Sequence, residues 1–256
     1  MVNGEAILVT DGRRSESVSR RMIYSKGSME WYEGEVHVLE EQRQAGRFPV
    51  NCPVFYGSSS IRLWSTLADD VDPTVLNLAF GGSTLDACVY FFDRIVSPVQ
   101  PSALVLYGGD NDLGDGRSPE DVAASFRSLA AKVDLLPGSP QFGFISIKPS
   151  PARWGIVDRI RRANRYVAEE IGRHAGGFYI DVFPAMLDSD GLPRPELFEP
   201  DGLHISRAGY RLWAELLRPY RNRIVAKDSS QRKDNPVFSF QGESRIPQVV
   251  QPEPEP

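Results

Sequence analysis

Short apolar runs alternate with longer amphipathic segments through most of the chain. The runs are rich in β-branched and aromatic residues and are bounded by Pro, Gly, Ser or Asn, a pattern typical of buried strands. They cover residues 53–57, 74–80, 103–108, 141–148 and 177–182. Because parallel strands need crossover connections, strands that alternate with helices indicate a mainly parallel sheet. The pattern therefore predicts an α/β fold whose functional groups lie in the loops at the carboxyl ends of its strands.

Helix signals fill the intervening segments. Ser118 offers an N-cap and is followed by Pro119 and two acidic residues, a typical helix start. Apolar residues recur at helical spacing over residues 154–171. A last helix is predicted after Ser206, and its expected inward-facing positions are Ala208, Leu212, Leu216 and Ile224.

The two ends of the chain differ in composition from the middle. Residues 1–48 hold one predicted helix, over 29–44, which we expect to pack outside the sheet as an N-terminal extension. Residues 49–226 hold all the strand signals and form the predicted α/β domain. Residues 227–256 are polar, contain prolines and end in QPEPEP, which is typical of a disordered tail.

Composition excludes several classes of protein. The 256 residues carry 29 Lys+Arg against 34 Asp+Glu, and no basic stripe of the kind that binds nucleic acid is present. Cys52 and Cys88 are too few for a disulfide framework and lack metal-ligand spacing. No apolar run approaches the ~20 residues of a membrane span, and no signal peptide is visible. We therefore expect a cytoplasmic protein without stable membrane insertion, metal or cofactor; its oligomeric state is not predicted.

Three predicted strands are followed by residues with candidate chemistry. Serines occupy positions 58–60, where they could cap a helix or hold a nucleophilic hydroxyl clear of the sheet. Gly82 belongs to a glycine pair that could form a tight turn or let a backbone N–H reach a substrate oxygen. Asn111 lies in the loop GGDND, which indicates a turn, a cation site or a neutral side-chain N–H donor.

One of the three histidines has a carboxylate at a useful spacing. His37 falls in the outer helix and His174 at a helix end, whereas His204 follows Asp201 by three residues just before the last helix. That spacing lets the carboxylate reach the imidazole and fix its tautomer. The serine, glycine, asparagine and Asp–His pair, all expected at one edge of the sheet, supply a nucleophile, oxyanion donors, a base and an orienting group for acyl transfer.

In this order the motifs resemble those of the SGNH hydrolases, also called GDSL esterases and lipases. The resemblance implies that Ser59 is the nucleophile, since Gly-Ser-Ser matches the Gly-Asp-Ser block of the family. It also implies that the Ser59 amide, Gly82 and Asn111, the last from a Gly-x-Asn-Asp block, form the oxyanion hole. The Asp-x-x-His block makes Asp201 the orienting group and His204 the base.

The resemblance covers residues 53–224 and implies a three-layer α/β/α sandwich, flavodoxin-like, with a five-stranded sheet and no metal. One departure leaves the register open by a residue: Ser58 replaces the family's aspartate, and Ser60 follows Ser59. Ser59 is the first choice for the nucleophile, then Ser60, then Ser58.

These features together predict a serine esterase that hydrolyses small carboxylic esters through an acyl-enzyme. Trp64, Phe80 and Trp154 lie near predicted loops and could line an acyl or sugar pocket, although aromatic residues there also serve packing. The alternatives are a carbohydrate acetylesterase, a lysophospholipase or thioesterase, and a catalytically silent binding module. A metal-dependent phosphoesterase that uses Asp110, Asp112 and Asp201 is the least favoured.

Overall fold

The sheet at the centre of the protein has five strands, all parallel. The computed structural model describes residues 28–225. The strands are β1 Pro53–Gly57, β2 Leu76–Asn77, β3 Ala103–Tyr107, β4 Gln141–Ile145 and β5 Gly177–Ile180. Their spatial order, β2-β1-β3-β4-β5, is that of flavodoxin-like folds and confirms the predicted class.

Helices connect the strands and cover both faces of the sheet. They are α1 Met29–Gln44, α2 Ser59–Arg62, α3 Leu67–Asp70, α4 Leu85–Ile95, α5 Asp110–Gly114, α6 Pro119–Asp134, α7 Val157–Arg173, α8 Arg207–Leu217 and α9 Arg221–Ile224. One hydrophobic cluster lies between the sheet and α1, α4, α6 and α7. A second cluster lies between the opposite face and α2, α3, α8 and α9. The three layers of the predicted sandwich are therefore present.

Alternation along the strands explains how one sheet serves two cores. Leu104 and Leu106 of β3 belong to the first cluster, and Val105 and Tyr107 belong to the second. Successive side chains of a strand point to opposite faces, so a strand buried on both sides is apolar throughout. Every residue of β3 is buried.

Strand β2 is shorter than the run that predicted it. Its side chain at Asn77 turns back to the backbone, where Nδ2 donates to the carbonyl of Ile61 (2.7 Å) and Oδ1 accepts the N–H of Ala79 (3.1 Å). The N–H groups of Leu78 and Phe80 still donate to β1, at 2.9 and 3.1 Å. The predicted segment thus follows β1 from Leu76 to Phe80, but only Leu76–Asn77 has regular strand geometry.

The predicted helix starts are largely confirmed. Ser118 and Asp121 form a capping box at the start of α6, with each side chain accepting the backbone N–H of the other. The segment predicted from residue 154 begins as a 3₁₀ turn, Pro151–Ile156, and continues as α7.

The inward face predicted for α8 is wrong by about one position. Ala208, Leu212 and Leu216 are only partly buried, whereas Ile224 is buried as predicted. The buried residues of α8 are Gly209, Tyr210, Trp213 and Leu217. A Cβ atom at Gly209 would stand 2.4 Å from the carbonyl oxygen of Leu197, so the glycine allows the close approach that turns the two aromatic rings inward.

Helix α1 has the predicted bounds and lies on the outside of α4. Tyr32 and Val36 are its buried residues, and Arg94 of α4 binds both Glu33 and Glu40 at 2.8 Å. The predicted tail, residues 227–256, lies outside the described residues together with residues 1–27, so the proposed domain boundaries remain predictions. Among residues 28–225, no helix is both long enough and apolar enough to cross a membrane.

Candidate active site

The turn after β1 exposes one serine of three. β1 ends at Gly57, whose φ of 125° is accessible chiefly to glycine, and Ser58 is the N-cap residue of α2. Ser58 and Ser60 are buried, at 0% and 1% exposure, whereas Ser59 is partly exposed. Of the three candidates for a nucleophile, Ser59 is therefore the one that a substrate can approach.

The glycine pair after β2 is held by α1. The N–H of Gly81 donates to Glu35 Oε2 (2.9 Å), and the hydroxyl of Tyr32 donates to the carbonyl of Gly82 (3.2 Å). Gly82 has a φ of 67°, and no atom outside its chain neighbours lies within 4 Å of the position a Cβ would take. The turn thus leaves room beside the backbone of Gly82.

The loop after β3 presents Asn111 and buries its two aspartates. Asn111 is partly exposed, and its Nδ2 donates to the carbonyl of Ser83 (3.0 Å), which ties this loop to the glycine turn. Asp112 is buried and accepts the N–H of Leu85 at the start of α4 with both oxygens (3.2 and 3.0 Å). Burial raises the pKa of Asp112 to about 7.

Asp201 and His204 form the pair predicted from their spacing. Oδ2 of Asp201 lies 2.5 Å from Nδ1 of His204, and Oδ1 accepts the N–H groups of Leu203 (2.8 Å) and His204 (2.9 Å). Burial acts to raise the pKa of Asp201, but these hydrogen bonds hold it below its ordinary value. The carboxylate therefore stays charged and directs Nδ1, which leaves Nε2 as the basic atom.

The Asp–His loop lies beside the segment that follows β4. The carbonyl of Gly202 accepts the N–H of Ala152 (3.0 Å), so residues 201–204 stand at the carboxyl edge of the sheet. The other histidines lie elsewhere: His37 is on α1 beside Glu41, and His174 at the end of α7 lies 2.8 Å from Asp134. These contacts indicate structural roles for both His37 and His174.

A buried lysine was missed in the sequence. We call Lys148, Asp110, Ser60 and Tyr107 the buried lysine cluster: Nζ of Lys148 donates to Asp110 Oδ2 (2.8 Å), Ser60 Oγ (3.0 Å) and Tyr107 OH (3.1 Å). Burial acts to raise the pKa of Asp110 and to lower that of Lys148. The opposite charges reverse both effects, so that the pKa of Asp110 is lowered and that of Lys148 is raised. Both groups are charged at neutral pH.

Two of the three aromatic residues proposed to line a pocket lie in the core. Trp64 is 1% exposed and stacks on Tyr210 (5.1 Å between ring centroids), and Phe80 is fully buried. The apolar surface of each ring is already covered, so neither matches the expected substrate-lining role. Trp154 is partly exposed, and the guanidinium of Arg161 lies over its ring (5.8 Å).

Within residues 28–225, no three side chains of His, Cys, Asp or Glu come together as they would around a metal ion.

A serine at a strand-to-helix turn, a paired histidine and a doubly covered parallel sheet are features expected of a hydrolase that acts on ester bonds. Residues 54–212 match the family model of the GDSL-like lipase/acylhydrolase family, and the chain belongs to this family.

Known relatives agree with that assignment. The chain is 24% identical to the platelet-activating factor acetylhydrolase IB subunit alpha1 of Pongo abelii over 198 residues, which are 70% of this chain and 78% of the relative. A GDSL-like lipase from Bacteroides thetaiotaomicron has the same fold with a TM-score of 0.60 and 18% identity, over 77% of this chain and 98% of that one. A lipase/acylhydrolase from Enterococcus faecalis gives a TM-score of 0.56 at 23% identity, over 70% and 100%.

Proposed function

We propose that the protein is a serine esterase that hydrolyses small carboxylic esters through an acyl-enzyme intermediate. The observation that carries the proposal is the Asp201–His204 pair, with Nδ1 2.5 Å from the carboxylate, in a loop at the sheet edge where Ser59 begins α2. A histidine whose Nδ1 is bound in this way is prepared to accept a proton at Nε2. Serine is the nucleophile that such a base serves.

The proposed reaction follows from these positions. Nε2 of His204 takes the proton of Ser59 as Oγ attacks the ester carbonyl, and Asp201 stabilises the imidazolium that forms. The backbone N–H groups of Ser59 and Gly82 and the Asn111 side chain hold the oxyanion. His204 then protonates the leaving alcohol. Water, deprotonated by the same base, hydrolyses the acyl-enzyme and releases the acid.

Burial supports Ser59 over its neighbours as the nucleophile. Ser60 is 1% exposed, and its Oγ accepts a hydrogen bond from the Lys148 ammonium, which occupies a lone pair that a nucleophile would use for attack. Ser58 is fully buried. A buried hydroxyl cannot reach an ester carbonyl without rearrangement of the turn, whereas Ser59 is already on the accessible side.

The acetyl group is the proposed acyl group, because the curated relatives are named acetylhydrolases. Rates on a series of p-nitrophenyl esters test this choice, and acetate should be hydrolysed faster than long-chain esters. A clear preference for long chains would instead favour the lysophospholipase or thioesterase alternative. Release of acetate from acetylated xylan that greatly exceeds the aryl ester rate would favour the carbohydrate acetylesterase alternative.

The experiment that tests the proposed function compares the wild type with Ser59→Ala and His204→Ala on p-nitrophenyl acetate. Each variant should lose nearly all turnover, since removal of either group removes the acyl-enzyme route. Ser58→Ala is the matched control and should retain the wild-type rate, because Ser58 makes no side-chain cap bond to α2. Circular dichroism confirms folding of all four proteins.

A covalent probe locates the nucleophile directly. A fluorophosphonate should label the wild type, and mass spectrometry of the peptide should place the adduct on Ser59. An adduct on Ser60 would contradict the assignment. A folded wild type that neither hydrolyses esters nor takes the label would instead favour the binding-module alternative.

A further inference from the structure

We propose that Lys148 is a positioning residue for the active site, and that its buried ammonium fixes the turn that carries Ser59 relative to the turn that carries Asn111. The inference rests on the proposed function and assigns a role to a residue that belongs to none of the sequence motifs. It is carried by the buried lysine cluster and by the positions of Ser59 and Asn111, which are the chain neighbours of two members of that cluster, Ser60 and Asp110.

The ammonium contacts the immediate neighbour of each residue. Nζ donates to Oγ of Ser60, which follows Ser59, and to Oδ2 of Asp110, which precedes Asn111. One charged group thus connects two turns that belong to different strands, β1 and β3. Lys148 itself follows β4, so the ends of three neighbouring strands meet at one nitrogen.

All three N–H donors of the Lys148 ammonium have a hydrogen-bond acceptor. A lysine ammonium has three N–H donors, and the acceptors at Nζ are Ser60 Oγ, Asp110 Oδ2 and Tyr107 OH, at 3.0, 2.8 and 3.1 Å. Tyr107 OH in turn donates to Asp110 Oδ2 (3.2 Å). Each donor points to a fixed partner, so displacement of any one of the three acceptors breaks a charge-assisted or buried bond.

The same hydrogen bonds exclude a direct chemical role for Lys148. Its side chain is 2% exposed, its charge is paired with Asp110, and all three N–H groups are used. No donor is left to hold a developing oxyanion or to move a proton at Ser59. Lys148 therefore acts through Ser60 and Asp110. It fixes the position of the backbone N–H of Ser59 relative to the side chain of Asn111.

A stability role alone does not require this arrangement. A buried ion pair is often no more stabilising than well-packed apolar side chains of similar volume. Oxyanion donors, by contrast, must be held to within about 0.5 Å of the productive geometry by side chains that are themselves fixed. The buried lysine cluster meets this second requirement, because its fixed side chains adjoin both proposed oxyanion donors, Ser59 and Asn111.

Two adjacent serines give a matched test. Ser60→Ala removes the hydroxyl that accepts from Lys148, whereas Ser58→Ala removes a buried hydroxyl with no hydrogen-bond partner among residues 28–225. We expect Ser60→Ala to lower kcat about tenfold, because a small displacement of a reacting group is costly. KM should stay within roughly twofold, since the loss is confined to the transition state. Ser58→Ala should keep the wild-type kcat.

A double variant removes the charges without leaving one unpaired. Lys148→Met alone leaves the Asp110 carboxylate buried without its partner and is expected to impair folding. Lys148→Met combined with Asp110→Asn should fold, with kcat lowered about 100-fold, KM little changed and the shape of the pH–rate profile preserved. A merely structural role would lower the melting temperature and leave kcat unchanged.

The outcomes separate this inference from the proposed function. Ser59→Ala serves as the reference: if it retains activity, the proposed function itself fails. If Ser59→Ala is inactive but either Ser60→Ala or the folded double variant has the wild-type kcat, the role of Lys148 is overturned and the esterase assignment stands. If the double variant does not fold, the comparison of Ser60→Ala with Ser58→Ala decides.

Discussion

The α-carbon of Gly57 lies against the backbone carbonyl of Tyr107, its partner in the neighbouring strand. A Cβ atom at Gly57 would stand 1.8 Å from that oxygen, which also accepts the N–H of Ser58 (3.0 Å). This contact brings the start of the serine turn onto β3, the strand that leads to Asn111. Glycine is needed here both for its φ of 125° and for the space it leaves.

Gly57→Ala should therefore be strongly destabilising. Gly116 is the matched control, since its φ of 94° is equally unusual but nothing lies within 4 Å of its added Cβ. Gly116→Ala should cost about 1–2 kcal/mol of unfolding free energy from backbone strain, and Gly57→Ala at least about 3 kcal/mol because the steric clash adds to it. Urea denaturation measures both, and equal losses would contradict the importance of the contact with Tyr107.

Asp201→Asn should retain the fold and lose most of the activity. The amide cannot stabilise an imidazolium and presents a donor to Nδ1 in one of its two orientations, so kcat should fall by about 10²–10⁴. Asp190→Asn, at an exposed aspartate of the same stretch of chain, should be close to wild type. Steady-state kinetics on p-nitrophenyl acetate compares them. A fall of less than about threefold in Asp201→Asn would remove the orienting role.

Asn111→Ala should lower kcat by about 10²–10³ and change KM little, because a lost oxyanion donor weakens binding of the transition state alone. Asn111→Asp has nearly the same shape but places negative charge where the oxyanion forms, so its kcat should fall at least as far. Near-ultraviolet circular dichroism checks that the bond from Asn111 to Ser83 is not essential for packing. Wild-type kcat in either variant would exclude Asn111 from the reaction.

Asp112 should make stability depend on pH. Its pKa is raised from an ordinary 3.8 to about 7 in the folded protein, so between these values the folded state binds a proton that the unfolded chain does not. The contribution of this group to stability is therefore greatest at low pH and is lost as pH rises, by up to about 1.4 kcal/mol per pH unit in that window.

Asp112→Asn provides the comparison, because its amide oxygen can still accept the N–H of Leu85 and it does not titrate. Urea denaturation of both proteins at about pH 5 and about pH 8 should show the wild type losing stability relative to the variant as pH rises. A constant difference between the two proteins would show that the carboxyl has no raised pKa.

Glu35 should influence turnover from outside the segment matched by the family. It accepts the N–H of Gly81 (2.9 Å) and pairs with Arg62 Nε (2.7 Å), so it connects the glycine turn to the end of α2. Glu35→Ala should lower kcat roughly three- to tenfold, and Glu35→Gln, which keeps an acceptor for Gly81, should recover much of it. Glu41→Ala, at an exposed residue of α1 that pairs with His37, is the control and should keep the wild-type kcat.

Local sequence patterns predicted the strands and the Asp–His pair because each depends on near neighbours. Burial of both faces of β3 makes its run apolar throughout, and the spacing of Asp201 and His204 places them in one loop. The predicted inward face of α8 was one position too early because it followed the spacing of Leu212 and Leu216. Gly209 lacks a side chain, which allows Tyr210 and Trp213 to turn inward instead.

Contacts between distant residues could not be predicted in this way. The partners Lys148 and Ser60 are 88 positions apart, and a lysine at the end of an apolar run resembles a strand terminus. Trp64 and Phe80 were expected near a pocket because they adjoin loops. Their large apolar rings complete the two cores instead, and only the packing of α8 and α4 against the sheet reveals it.

The order of the groups along the chain has a consequence for biosynthesis and refolding. Ser59, the proposed nucleophile, directly follows the first strand, whereas the proposed base, His204, comes after all five strands. In the folded protein α8 packs beside α2 and α3, where Arg207 binds Asp70 and Tyr210 stacks on Trp64. A nascent chain that ends before residue 204 therefore lacks the proposed base, and a refolding chain needs the packing of α8 to hold the Asp201–His204 loop in place. Under the proposed function, ester hydrolysis during refolding should therefore appear only when α8 has packed against the sheet, and its onset would report that step.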